Sequence, residues 1–213
     1  KIQSVVQAYA AAAPKNIRYY QIRTMNEATD TLATILAERQ PGDWVAVESM
    51  SRLWEKAQDM GYMAVAGMDK AAYMERRRAN GRTGAVTPKP DDLWSITKGA
   101  HDGAFLELLS QDSFLNVLLT TTLSRPPKGD GFIKESQARK DVRNEFGIDM
   151  GLEGAPRLPY YAQTLLLLDK KMGQVSCRVL RDNLSKTDDV AVEFDVADRK
   201  SFASDFWATC REL

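Results

Sequence analysis

Trp44-Val45-Ala46-Val47 is an unbroken apolar run that ends in Glu48 and Ser49 and begins just after the turn signal Pro41-Gly42-Asp43. A short continuous run of this kind suits a strand covered on both faces of a parallel sheet. Ligands of such sheets bind beyond the carboxyl ends of the strands, so Glu48 and Ser49 are expected where chemistry happens. The plain alternative is an ordinary buried strand that ends in a solvated Glu.

The neighbouring segments decide what kind of sheet surrounds this run. Lys1 to Ala13 is an alanine-rich helical pattern with no cap or turn before it, broken by Pro14-Lys15-Asn16. Ile17 to Ile22 has the aromatic and β-branched content of a strand. From Asn26 to Arg39, Ala28, Leu32, Ile35 and Leu36 fall at helical spacing, with Thr24 or Asn26 as caps. The order helix, strand, helix, strand predicts an α/β fold with a mostly parallel sheet sandwiched by helices.

Beyond Ser49 the pattern is helical from Ser51 to Gly61 and again to Asn80, closing on Glu75-Arg76-Arg77-Arg78. Asn80 to Asp92 holds two glycines and two prolines among charges and reads as an exposed loop. Arg76, Arg77, Arg78 and Arg82 are either nucleic-acid phosphate contacts or a solvated helix end. Helical spacing returns from Leu93 to Ser110; His101 within it is read as a packing histidine rather than a catalytic one. Phe114 to Thr122 repeats the buried-strand pattern and ends in three threonines, which either face a ligand or simply suit β structure. The two apolar runs are expected as adjacent or near-adjacent central strands.

A second polar insertion, Pro126 to Gly154, follows that strand, and Leu158-Pro159-Tyr160-Tyr161-Ala162 leads into the next one. Thr164 to Asp169 and Val175 to Arg181, joined by Lys170-Lys171-Met172-Gly173, predict an antiparallel edge hairpin near the C-terminus. A short strand from Val190 to Val196 and a helix from Ser201 to Glu212 close the chain.

Composition bounds the function classes. With 213 residues, 44% apolar and 27% charged, the chain has a globular profile. Lys+Arg and Asp+Glu balance at 29 each, so a nucleic-acid role must rest on local patches. No apolar run approaches the roughly 18 residues of a membrane span. Cys177, Cys210 and His101 have no zinc-site spacing, and the default setting is reducing and cytoplasmic.

A strand ending in Glu48-Ser49 followed by Leu53-Trp54, a strand ending in Thr121-Thr122, then Leu158-Pro159-Tyr160-Tyr161-Ala162 and Arg178-Val179-Leu180-Arg181-Asp182-Asn183 resembles, in that order, the RecA-like P-loop ATPases of bacteriophages. These include relatives of recombinase and single-strand-annealing ATPases. The resemblance covers most of the chain and implies one RecA-like domain over residues 1–213, with 80–92 and 126–154 as insertions. It departs from the family at two points. Glu48 stands where the Walker B strand usually carries Asp, and no GxxxxGK(S/T) phosphate loop occurs. The family places that loop just before the first helix, where this chain begins, so it is expected upstream of residue 1, and the chain as it stands is expected to hydrolyse ATP poorly.

The resemblance implies roles for individual residues. Glu48 matches the Walker B acid and Ser49 its hydroxyl neighbour, together holding Mg²⁺ beside ATP. Glu27 lies near the water-polarising glutamate of the family, or is an exposed Glu in a first helical turn. Thr122 matches the sensor, with Thr121 an equal rival. Arg181 falls where a basic residue reaches a neighbouring subunit's nucleotide, which implies a homo-oligomeric ring or filament. The two insertions lie roughly where DNA-binding loops emerge, with Arg125, Lys128 and Lys134 as contacts to DNA, expected to be single-stranded. Two alternatives stand beside this: a non-catalytic interaction or structural subunit of the same fold, and a DNA-packaging or helicase motor of the same superfamily.

Overall fold

A computed structural model describes residues 17–79, 90–112, 114–124, 137–148, 151–171, 174–182 and 191–194. The expected first helix, the final helix, and Arg82, Arg125, Lys128 and Lys134 lie outside these residues. The protein is a mixed α/β chain with small sheets. It divides into two compact units, Lys1–Ala46 with Arg52–Leu118, and Val47–Ser51 with Leu119–Leu213.

The first unit is mainly helical. Helix α1 spans Met25–Glu38 and begins where the sequence signals it: the Thr24 hydroxyl accepts the Glu27 N–H at 3.1 Å, and the Glu27 carboxylate accepts the Arg23 N–H at 2.7 Å. Reciprocal capping of this kind satisfies amides that the first turn leaves without helical partners. Met25, Ala28 and Leu32 form its buried stripe. Helix α2 is Met50–Ala66, and α3 is Lys70–Ala79. Helix α4, Pro90–Lys98, runs on as a π-helical segment, Gly99–Glu107, and ends as the short α5, Leu108–Gln111. The expected continuous helix over Leu93 to Ser110 is therefore widened through its middle, where Gly99 and Gly103 weaken the α register. Trp54 stacks on Trp94 at 6.1 Å between ring centroids and meets His101 edge-on at 5.0 Å. His101 is fully buried, its Nδ1 2.7 Å from Asp102 Oδ1, in keeping with a packing role.

Two expectations are corrected here. Ile17 to Ile22 forms no strand; the segment is irregular and mostly exposed, with Arg18 paired to Glu38. Its β-branched and aromatic residues have no neighbouring strand to pair with among the described residues, and β propensity acts only through such packing. Strands β1, Asp43–Val47, and β2, Leu115–Leu119, do pair, in parallel, but neither is covered on both faces. Val45, Val47, Leu115, Val117 and Leu119 are half-buried, while Trp44, Ala46, Asn116 and Leu118 are exposed, with Trp44 at 61%. This is the period-two alternation of strands with one packed face.

The second unit carries the remaining strands, all antiparallel, so β1–β2 is the one parallel pair among the described residues and the mostly parallel sheet is not seen there. Strand β3, Leu123–Ser124, pairs with β4, Gly151–Leu152. Helix α6, Gln137–Glu145, lies between them in sequence, within the stretch read as the second insertion. A 3₁₀ turn, Leu158–Tyr161, leads into β5, Thr164–Lys171, which pairs with β6, Gln174–Asp182, and that with β7, Ala191–Phe194. The C-terminal hairpin is thus present, but within a three-stranded antiparallel sheet of its own rather than at the edge of the parallel pair. Val142, Phe146 and Ile148 form a buried cluster under Leu123, Leu165, Leu167 and Leu180.

Candidate functional site

The end of β1 and the residues after β2 are stitched together by backbone bonds. Thr120 N–H donates to the Val47 carbonyl at 3.1 Å, and Met50 N–H donates to the Thr120 carbonyl at 2.7 Å. These bonds flank Glu48 and Ser49, so the acid–hydroxyl turn lies beside Thr120–Thr122. Glu48 is exposed and Ser49 half-buried. The resemblance implies that Glu48, Thr122 and the amino end of the first helix converge at one edge; the helix end lies outside the described residues, and the backbone bonds bring the Glu48-Ser49 turn next to Thr120, all within the second unit.

Behind that turn lies a polar network. Ser51, buried at the start of α2, has its Oγ 2.9 Å from Thr121 Oγ1 and 3.1 Å from Thr122 Oγ1, and accepts the Thr122 N–H at 3.1 Å. Its hydroxyl donates to the Glu153 carbonyl at 2.8 Å; the Thr121 hydroxyl donates to the same carbonyl at 2.7 Å, and that of Thr122 to Glu153 Oε2 at 2.5 Å. Glu153 N–H closes the ring on the Thr122 carbonyl at 2.9 Å. Three hydroxyls carry three protons, and each has an oxygen of Glu153 to receive it. Two of these donors share the backbone carbonyl of Glu153, and only Thr122 gives its proton to the carboxylate, as a charge-assisted bond.

Gly154 makes this closure possible. Its φ of +120° is open to glycine at little cost, and a Cβ there would lie 3.5 Å from Ser51 Cα. Sequence reasoning missed Ser51, Glu153 and Gly154. The available signals were a hydroxyl opening the helix after Glu48-Ser49 and an acid-glycine pair closing a polar insertion.

Other sequence candidates lie elsewhere. Glu27 is in the first unit, and its carboxylate is committed to the α1 cap. Arg76, Arg77 and Arg78 are exposed on the last turn of α3, where cations also suit the helix dipole. Arg181 Nη2 donates to the carbonyls of Pro159 at 2.5 Å and Ala162 at 2.6 Å, and its guanidinium lies 5.4 Å from the Phe146 ring centroid. These partners account for Arg181 within its own chain, as a clamp on the two ends of the 3₁₀ turn. Arg181→Ala is accordingly expected to lower stability by about 1.5–3 kcal/mol, the usual worth of hydrogen bonds from a charged donor. Denaturant unfolding measures this.

Among the described residues no group of three His, Cys, Asp or Glu side chains converges to hold a metal ion. Comparison with family models, with curated proteins and with solved structures found no match for this chain.

Proposed function

We propose that the chain is the core of a RecA-like ATPase of bacteriophage type, which binds and hydrolyses ATP with Mg²⁺ and acts on DNA in recombination or single-strand annealing. One observation supports the reading: the backbone bonds of Thr120 to Val47 and Met50 bracket the exposed Glu48 and its neighbour Ser49, next in the chain to Thr121 and Thr122. An acid and hydroxyls at the carboxyl ends of two paired parallel strands are what a nucleotide's phosphates and their cation require.

The donor set fits magnesium better than a cation held by protein alone. Mg²⁺ is commonly bound through one or two carboxylates together with substrate phosphates, and Glu48 is such an exposed group. Glu48 and Ser49 would hold the ion, which when bound supplies neutralisation of phosphate charge. Thr122, with Thr121 beside it, donates to the oxygen that gains charge. Assembly into a homo-oligomeric ring or filament belongs to the same proposal.

A second reading, a non-catalytic subunit of the same fold, is favoured by Glu27 and Arg181 both being engaged in structural bonds and by Glu153 occupying the hydroxyls. Phosphate release from ATP by the intact protein separates the two. The first reading expects Mg²⁺-dependent turnover that rises with single-stranded DNA. Turnover that rises with duplex DNA alone points to a packaging or helicase motor, and no turnover points to the second reading. Among the described residues no helix is long and apolar enough to cross a membrane.

A further inference from the structure

Within the second unit, the 3₁₀ turn carries chemistry that the ATPase reading leaves unused. Leu158 and Pro159 are buried, which turns Tyr160 outward at 47% exposure. A cavity of about 340 Å³ is lined by Arg157, Tyr160 and Tyr161, none of them part of the Glu48–Thr122 edge. Its walls are two phenol rings and one guanidinium.

The platform is braced from beneath. Tyr160 O–H donates to Glu145 Oε2 at 2.6 Å, and its ring lies 6.3 Å from that of Phe146. Arg181 ties down the Pro159 and Ala162 carbonyls on either side. A ring held at its edge loses little freedom when a second ring stacks on its face. The bond to Glu145 holds the Tyr160 phenol above its usual range, so it stays neutral. Arg157 is exposed and makes no ion pair with the described residues.

We propose that Arg157, Tyr160 and Tyr161 form a stacking site for single-stranded nucleic acid, with the tyrosine rings receiving bases and Arg157 a phosphate. Aromatic faces take every base without reading its edge, and a single cation tracks the backbone. The carboxylates of Glu145 and Asp141 act on Tyr160 against the guanidinium of Arg181, so stacking rather than bulk charge carries the binding. This rests on the DNA-acting part of the proposed function and on none of its nucleotide chemistry.

The test is fluorescence anisotropy of a labelled oligo-dT, an oligo-rU and a duplex with the intact protein, without ATP or magnesium. Tyr160→Ala is expected to raise the oligo-dT Kd by roughly 5- to 150-fold, the range for loss of one stacked base, while Tyr160→Phe binds close to wild type. Arg157→Gln should reduce the slope of log K against log salt by about 0.7, one phosphate on a single strand. Binding of either single strand with these losses supports the site, and a preference between the two says whether the sugar is also read. Binding of duplex alone, or unchanged affinity in Tyr160→Ala with an unchanged salt slope in Arg157→Gln, overturns it. Should Tyr160→Ala fail to fold by circular dichroism, the Arg157→Gln slope decides. Because no nucleotide is present, an inactive ATPase leaves this result standing, and a failed stacking site leaves the ATPase reading standing.

Discussion

On the proposed ATPase reading, Glu48→Gln is expected to lower Mg²⁺-dependent ATP hydrolysis on the order of 10²-fold or more, the scale of losses when groups that order a metal site are removed. Nucleotide binding, followed with a fluorescent ATP analogue, is expected to change far less, because the substitution removes one charge and keeps the size of the side chain. Stability should stay within about 0.5 kcal/mol of wild type, as for other exposed positions. Glu48 lies exposed on the turn after β1, so no core contact is lost with its charge. A kinetic loss without a folding loss marks a residue that acts on substrate. Full activity in Glu48→Gln removes the Walker B assignment, and with it the role given to Ser49.

Gly61→Ala is expected to destabilise the first unit by about 2 kcal/mol, although alanine is the better helix former. Helix propensity alone favours the change by about 1 kcal/mol. Against it, a Cβ at Gly61 would lie 2.5 Å from Thr97 Oγ1 and 3.1 Å from both Leu93 Cδ1 and the Leu93 carbonyl oxygen. Thr97 is fully buried and donates its hydroxyl proton to that carbonyl at 2.8 Å. Moving Thr97 aside strands a buried hydroxyl, which costs about 1–3 kcal/mol, and overpacking adds about 1–3 kcal/mol more. The close packing of α2 on α4 therefore outweighs propensity. Thermal unfolding should show a fall of roughly 4–8 °C for a chain of this size; an unchanged or higher midpoint would show that the two helices separate without strain.

Local signals in the sequence were read well where they were self-contained. Thr24 and Glu27 cap α1 because both halves of that signal lie within one turn of helix. The C-terminal hairpin was legible because its two strands are separated by a few residues. The pairing of β1 with β2 followed from two apolar runs, but their burial did not, since a run of apolar residues does not state how many layers cover it. Ile17 to Ile22 shows the same gap from the other side: strand-forming residues form a strand only beside a partner.

At the site, the closeness of the Glu48-Ser49 turn to Thr120 was legible because neighbouring parallel strands end at one edge. The contact of Ser51 with Glu153 was not legible, because it joins positions 102 residues apart and follows a chain turn set by the positive φ of Gly154. The surroundings of Arg181 were not legible: the carbonyls it holds are those of Pro159 and Ala162, made available by a 3₁₀ turn that no periodicity announces.

The central claim is that Glu48, Ser49, Thr121 and Thr122 form one edge that receives nucleotide phosphates. Backbone amide chemical shifts of the isotopically labelled intact protein, followed during a titration with Mg²⁺ and a non-hydrolysable ATP analogue, test it most directly. The account predicts saturable shifts at Glu48, Ser49, Ser51, Thr121, Thr122 and Glu153, with the Thr122–Glu153 bond reporting displacement of the carboxylate by phosphate. Saturable binding that leaves these amides unmoved, or no binding at all, would contradict it.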